Sequence, residues 1–396
     1  MGNAESNPVR NMDKRTARRT HAISFQRAIA MYRGGMGESL RSPSSEGPRS
    51  SSSSSCGGGG GSVRVFVRKR PIHDAELDAL EFDVVTVVAS RKLAVVHDGR
   101  MEKDMRHLLM NHHSFEFDGA FGDAVTNDAV YEGVASPLVR DAAGGGYATI
   151  LMYGQTGSGK TFTMTAIYER AARELFASLP PGRTVAVSFF ELAGDACSDL
   201  LNGFESARLM TGADGSVHAF PLVEVAVGDA DALLAMVTHG VSVRATAATG
   251  VHDASSRSHA VLRVYVYATD EAGRGGSGDT SGEGVLTLVD LAGSEHKIDS
   301  DHHTRQRRKE GAEINASLMA LKSVVHARAR SGDSEHLYRK SKLTMALKNS
   351  FVLDKARTAV IATVSPSSKD TEHSLNTLRH ACVMAAPRVA RGTHPP

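Results

Sequence analysis

The residue types best suited to chemistry lie in one run, Gly154-Gln155-Thr156-Gly157-Ser158-Gly159-Lys160-Thr161. It fits the phosphate-loop spacing G-x-x-x-x-G-K-[ST]. Glycines let a backbone close around an anion, so that successive N–H groups point at one phosphate. Lys160 adds a positive point charge, and the Thr161 hydroxyl suits Mg²⁺. The flanks agree with this reading. Ala148-Thr149-Ile150-Leu151-Met152-Tyr153 is a short apolar run that reads as a buried strand, and residues 162–178 carry apolar side chains at helical spacing. Strand, glycine loop and helix in that order predict a nucleoside triphosphate site.

Two further clusters belong with such a loop. Ser255-Ser256-Arg257-Ser258-His259 stands just before a β-branched run at 261–268, and Asp290-Leu291-Ala292-Gly293-Ser294-Glu295 ends an apolar run that starts at Leu286. An acid at a strand end beside a phosphate loop is where a water-mediated Mg²⁺ partner belongs. Gly293 can offer its N–H to a γ-phosphate and can hinge. The serines can supply hydroxyls to Mg²⁺ and to an attacking water. Arg257 and Glu295, of opposite charge, can close over the γ-phosphate as a pair. Singly, each cluster also reads as an ordinary turn or helix cap. Together with the phosphate loop they point to triphosphate hydrolysis.

The elements that must hold these residues mix both periods. Val63 to Pro71 alternates like a half-buried strand and stops at the proline. Strand patterns recur at 115–118, 184–192, 222–227, 261–268, 286–290 and 359–364. Helical spacing recurs at 230–243, 311–330, 342–350 and 374–386. This mixture around a phosphate loop predicts an α/β P-loop NTPase, with a central, mostly parallel mixed sheet and helices on both faces.

Composition bounds the rest. The 396 residues suffice for one large α/β domain and a tail, or for two domains. Cys56, Cys197 and Cys382 are far apart and odd in number, which predicts neither a disulfide framework nor a metal site and suits a reducing compartment. No apolar run approaches the roughly 20 residues that span a bilayer, and the N-terminus lacks the apolar core of a secretory signal. A cytosolic protein is expected.

Residues 1–62 are expected to be a disordered or basic N-terminal segment followed by a linker. Residues 34–62 are Gly-, Ser- and Pro-rich and read as that flexible linker. Ahead of it, Arg10, Lys14, Arg15, Arg18, Arg19, Arg27 and Arg33 face one acid, Asp13, while Ile23, Phe25, Ala28, Ile29 and Tyr32 form an intermittent apolar stripe. Two readings stay open: a basic, weakly amphipathic helix that favours an acidic surface, and a solvated disordered arm. Met1-Gly2-Asn3-Ala4-Glu5-Ser6 fits the N-myristoylation pattern with Gly2 as acceptor. An acyl chain plus a polybasic segment would make a two-signal membrane anchor.

Residues 153–161, 255–259 and 290–295 resemble the kinesin motor domain, in that family's own order. Ser188-Phe189-Phe190-Glu191-Leu192, Ile314-Asn315-Ala316-Ser317-Leu318, Ser341-Lys342-Leu343-Thr344 and Leu375-Asn376-Thr377-Leu378-Arg379 extend the resemblance over about 63–388, with 389–396 a short tail. Val67-Arg68-Lys69-Arg70-Pro71, residues 310–315 and residues 318–322 look most like kinesin-13, the internal-motor subfamily that depolymerises microtubule ends. There are departures. The Lys-Val-Asp loop tip of that subfamily corresponds here to Glu102-Lys103-Asp104, the asparagine before the serine switch is His252, and the histidine after the phosphate-loop threonine is Phe162.

The resemblance implies a microtubule-stimulated ATPase of kinesin type, with ATP and Mg²⁺. Adenine would lie among Arg68, Arg70, Pro71 and Phe162, and the phosphates in 154–161. Thr161 and Ser256 would hold Mg²⁺, with Asp290 behind it through water. Ser255 and Ser256 would place the attacking water, Glu295 would take its proton through a water chain, and Gly293 would sense the γ-phosphate. A helix from Gly311 would lie on tubulin. The basic residues around it agree with an acidic polymer partner: Arg307, Arg308, Lys309, Lys322, Arg339, Lys342 and Lys348. The aromatic interleaving of single-strand nucleic-acid binders is missing, so nucleic acid is not expected. No heptads occur, so a monomer or weak dimer without a coiled coil is expected. The expected location is the cytoplasm, on cytoskeletal microtubules, with spindle or cilium open. A translocating or lattice-binding motor and a membrane-tethered linker are the alternatives to a depolymerase.

Overall fold

The structure is a computed structural model. It describes residues 13–41, 63–102, 106–212, 217–248, 257–268, 284–294, 305–329, 335–353 and 355–385. Two helices come first, α1 (Lys14–Thr20) and α2 (Ala22–Arg41). They are followed by β1 (Val63–Lys69), α3 (Asp74–Asp78), β2 (Val85–Val88), β3 (Leu93–Met101), β4 (Leu108–Glu116) and β5 (Gly119–Phe121). Next come α4 (Asn127–Val130), α5 (Ser136–Ala143), β6 (Tyr147–Tyr153) and α6 (Lys160–Ala177). Strands β7 (Arg183–Ala193), β8 (Ala196–Asp199), β9 (Glu205–Thr211), β10 (Val217–Phe220) and β11 (Val225–Val227) lead to α7 (Ala230–Ala248). The chain then forms β12 (His259–Ala268), β13 (Gly284–Asp290), α8 (Arg305–Ala329), α9 (Glu335–Tyr338), α10 (Lys342–Ala346), α11 (Lys348–Val352), β14 (Ala356–Val364) and α12 (Thr371–Met384).

Alternate side chains of β6 point to opposite faces, and each face has its own core. Ile150 and Met152 pack with Met164 and Ile167 of α6 and Val237 of α7. Leu151 and Tyr153 belong with Leu318 and Leu321 of α8 and Leu375 and Leu378 of α12. A strand buried on both faces reads as a continuous apolar run, which is why 148–153 was legible. The central sheet has eleven strands in the order β10-β9-β8-β7-β12-β13-β6-β14-β1-β5, with β11 beside β7. It is mixed. The expected parallel pairing is found from β13 through β6, β14 and β1 to β5. From β12 outward the pairs are antiparallel. Short turns join β7, β8 and β9, and only antiparallel neighbours can be joined that way.

A separate three-stranded sheet, β2-β3-β4, carries the hairpin whose end holds Glu102. Helices α1 and α2 lie on it, which corrects the expectation of a disordered segment for residues 14–36. Asp13 caps α1, accepting the N–H groups of Arg15 and Thr16. Phe25 and Ile29, four residues apart and so on one helical face, are buried in the same core as Val96 and Leu378. Tyr32 stacks on His112 of β4 with ring centroids 4.1 Å apart. The basic residues bind the folded domain itself: Arg18 pairs with Asp98 and Glu372, Arg19 with Glu81, Arg33 with Asp83. Residues 34–41, the start of the expected linker, belong to α2. Gly2, the rest of the linker and the tail 389–396 lie outside the described residues. Among the described residues no helix is long and apolar enough to cross a membrane.

Candidate nucleotide site

The loop 154–159 joins the end of β6 to the first turn of α6. Gly154, Gly157 and Gly159 all have positive φ. At Gly154 the need is strict, because φ is +152° and a Cβ would sit 2.4 Å from the Thr363 carbonyl oxygen. Ser158 closes the loop from inside, donating to the Gln155 carbonyl at 2.7 Å and bonding the Thr363 hydroxyl at 2.6 Å. The Lys160 ammonium lies buried across the loop, donating to the carbonyls of Gly154 at 3.0 Å and Gln155 at 2.9 Å. Thr156 and Gly157 are exposed at its mouth.

Asp290, at the end of β13, meets this loop. The Thr161 hydroxyl donates to its Oδ2 at 2.9 Å. Its Oδ1 is buried and has no hydrogen-bond partner among the described residues. An orphaned carboxylate oxygen beside a threonine hydroxyl is a donor set that fits Mg²⁺, a hard cation that takes oxygen ligands and keeps several waters. Thr161 would hold the ion, with Asp290 behind it. Ser256, the other expected ligand, lies outside the described residues, as do Ser255 and Glu295.

The segment after Asp290 is tied to the loop. Leu291 donates its N–H to the Met152 carbonyl at 3.3 Å, and Ser294 to the Gly154 carbonyl at 3.1 Å. Gly293 is buried between them. The N–H of Ala292 donates to His259 Nδ1 at 3.0 Å. That bond leaves the His259 proton on Nε2, which donates to the Ser317 hydroxyl of α8 at 2.9 Å. Burial, then the charges of Arg244 and Lys160, push His259 down to about 3. The imidazole is a neutral link between the Gly293 segment and α8.

Glu295, with which opposite charge suggested that Arg257 would pair, lies outside the described residues; Arg257 reaches Glu310 of α8 at 3.3 Å. Beneath it lies a polar group that the motifs did not reveal. Buried Arg244 of α7 donates to Glu191 at 3.1 Å and to the Ser258 carbonyl at 2.9 Å, and lies 3.6 Å from Asp290. Ser258 also donates to Glu191. Arg244 is the one charge in the small-residue run 241–248, which was its only signal.

At the outer edge, Phe162 is 67% exposed with the Arg68 guanidinium 5.7 Å from its ring centroid. An exposed ring backed by a cation is a stacking platform for a base. Arg68 is fixed by Asn127 at 2.6 Å and Thr163 at 2.8 Å. The Arg70 fork is already spent on Glu76, Ser365 and the Gly157 carbonyl, so Arg70 shapes the loop, with Pro71 exposed beside it. On the predicted basic face, Lys309 and Arg339 are exposed and Lys342 and Lys348 half-buried. Lys322 departs from it. Only 8% exposed, it shares the buried side of α8 with Leu318 and Val325, and burial lowers its pKa. The side chains of Arg307 and Arg308 lie outside the described residues.

Comparison with known proteins agrees with this geometry. The chain is 39% identical over 334 residues to the diatom spindle kinesin-1 of Cylindrotheca fusiformis, covering 83% of this chain and 51% of that protein. It is 39% identical over 335 residues to the human kinesin-like protein KIF24, covering 81% of this chain and 23% of that protein. It is 38% identical over 327 residues to the kinesin-like protein KIN-13B of Arabidopsis thaliana, covering 81% of this chain and 46% of that protein. The chain thus spans about half or less of the length of these curated relatives. The family description "Kinesin motor domain" matches residues 68–386, which include the phosphate loop, Asp290 and α8. The chain belongs to the kinesin motor domain family.

Proposed function

We propose that this chain is a microtubule-stimulated ATPase that uses ATP with Mg²⁺ to release tubulin from microtubule ends. The observation that carries the reading is the neutral His259 link, which joins the segment beside the phosphate loop to α8. Bound Mg²⁺ would neutralise phosphate charge. Lys160 and the loop N–H groups orient the triphosphate, so the gain comes from positioning and charge. Ser255 and Ser256 place the attacking water, and Glu295 receives its proton through water. Gly293 reads the γ-phosphate, and on its loss the change passes through Ala292, His259 and Ser317 to α8. That helix, with Lys309 and the nearby Arg307, Arg308, Arg339, Lys342 and Lys348, faces the acidic polymer. The protein works on cytoskeletal microtubules as a monomer or weak dimer.

End release is favoured by the kinesin-13-like wording of 67–71 and 310–322, and by the relative whose name carries that class number. A lattice-binding or translocating motor is the second reading, because Glu102-Lys103-Asp104 differs from the Lys-Val-Asp tip. The membrane-tether reading is less favoured, because Lys14, Arg18, Arg19 and Arg33 are engaged by the motor's own acids, while Arg15 and Arg27 stay exposed. The test places the protein on stabilised microtubules with ATP, with a non-hydrolysable analogue, and as Lys160→Ala with ATP. End shortening that requires turnover and vanishes in Lys160→Ala is the expected result. Polymer-stimulated phosphate release at constant length would select the second reading.

A further inference from the structure

Arg18 of α1 is 1% exposed, and among the described residues it is one of the largest fully buried side chains. A buried guanidinium persists only where partners satisfy it. Its Nε donates to the Gly99 carbonyl at 3.0 Å, and Nη2 donates at 2.7 Å to both Asp98 Oδ1 and Glu372 Oε1. Nη1 donates to Glu372 Oε2 at 2.9 Å and to the Ser368 carbonyl at 3.4 Å. Asp98 and Gly99 lie in β3. Ser368 lies in the turn that carries the chain from β14 into α12, and Glu372 in the first turn of α12.

That same turn is held from its other side. The Ser365 hydroxyl accepts from Arg70 Nη2 at 2.9 Å and donates to Asp370 at 2.7 Å. Lys369 pairs with Glu76 at 3.2 Å, and Glu76 in turn takes both prongs of Arg70 at 2.8 and 2.7 Å. Arg70 Nε grips the Gly157 carbonyl of the phosphate loop at 2.7 Å. The connection 365–372, a turn and the start of α12, therefore lies between an arginine of the N-terminal helices and an arginine that bonds the phosphate loop. Two carboxylates share Arg18 Nη2. Without it the partly exposed Lys14, 3.4 Å from Asp98 and 3.6 Å from Glu372, is the cation left to the two carboxylates, and their mutual repulsion is no longer offset from within the protein.

We propose that Arg18 is a positioning residue for the nucleotide site: it holds the 365–372 connection so that Arg70 stays on Gly157 and the phosphate loop keeps its anion-binding form. The proposal rests on the reading of 154–161 as that site. It gives the N-terminal helices a role in nucleotide affinity, and by linkage nucleotide must tighten α1 on the motor by the same factor.

The test uses the full chain and a fluorescent ADP. Arg18→Ala should weaken ADP binding about fivefold to tenfold, the lower range of site-to-site coupling, and Arg18→Lys should recover part of the loss. Ser365→Ala should weaken binding in the same direction, and the double variant should cost no more than the larger single change. Arg33→Ala loosens α2 at Asp83 and Thr86; Asp83 is bridged to Ser367 of the turn through its backbone, which this change spares, so ADP affinity should stay within about twofold, the size of one weak surface contact. ADP should slow amide exchange in 14–20 of the wild-type chain. Unchanged affinity in Arg18→Ala, an equal loss in Arg33→Ala, or additive losses at Arg18 and Ser365 would overturn the relay alone. A wild-type chain that binds no ADP would overturn the nucleotide site and the relay with it.

Discussion

His259 stands where three parts of the site meet, and its neighbours fix its proton. The Ala292 N–H occupies Nδ1, so an added proton would break that bond inside a closed pocket. Its folded value near 3 lies below the ordinary value of 6.5. Above pH 6.5 both folded and unfolded chains hold it neutral, and it adds no pH dependence. As pH falls from 6.5 toward 3 the unfolded chain gains a proton that the folded chain refuses, so stability drops, with a limiting slope of about 1.4 kcal/mol per pH unit. Denaturant midpoints at pH 7.5, 6.5 and 5.5 should therefore decline below 6.5, and less steeply in His259→Gln. A slope unchanged by that substitution would assign the acid sensitivity to other groups, His97 among them. At this scale the phosphate-loop glycines, Thr161 and Asp290 were legible because their chemistry demands fixed spacing. Glu191, Arg244 and Glu310 were not. The partners named above lie in other segments, 53 residues away for Glu191–Arg244 and Arg257–Glu310, and no local pattern records such meetings.

Among the elements, α2 shows best how packing overrides composition. Seven basic residues against one acid in 10–33 suggest a solvated arm as readily as a helix. What decides is Phe25, which fits over Gly99 of β3 so closely that a Cβ there would lie 2.7 Å from its ring. Phe25→Ala should cost about 3 kcal/mol or more of arm docking, as large-to-small core changes do. The expected sign is faster amide exchange across 14–33, with β6 and α6 protected as before. Exchange unchanged in the arm would mean that Arg18 and the other ion pairs hold it without the aromatic anchor. The strand–loop–helix at 148–177 was readable because both its periods are local. The hairpin β3–β4 and strands β8 to β10 were not. Their outer faces carry His, Asn, Ser, Glu and Arg, so alternation is weak until the partner strand is known. Helix α8 begins at Arg305, ahead of the predicted Gly311, because the charged residues 305–310 offer no apolar period to mark its first turns.

For the whole molecule, a net charge of +2 conceals an uneven layout. Four basic residues of the N-terminal helices, Lys14, Arg18, Arg19 and Arg33, pair with Asp98, Glu372, Glu81 and Asp83, which reduces their share of the outer field, while Arg15 and Arg27 stay exposed. The α8–α11 region adds a group of basic residues close in sequence, in which Arg339 and Lys309 reach solvent and Lys342 and Lys348 are half-buried. Charges of this kind act through a screened field, with a Debye length of about 10 Å at 0.1 M salt. Arg339→Glu with Lys342→Glu should thus lower microtubule co-sedimentation about tenfold at low salt, the scale of electrostatic steering, and the gap from wild type should narrow as salt rises. Lys322→Gln should behave differently. Its side chain is buried between Leu318 and Val325, so the substitution alters packing within α8 and should shift thermal stability while polymer affinity holds. Equal, salt-sensitive losses from Lys322→Gln would show that α8 turns this side chain outward on the polymer. Salt-independent losses from Arg339→Glu with Lys342→Glu would instead move the contact surface away from this face.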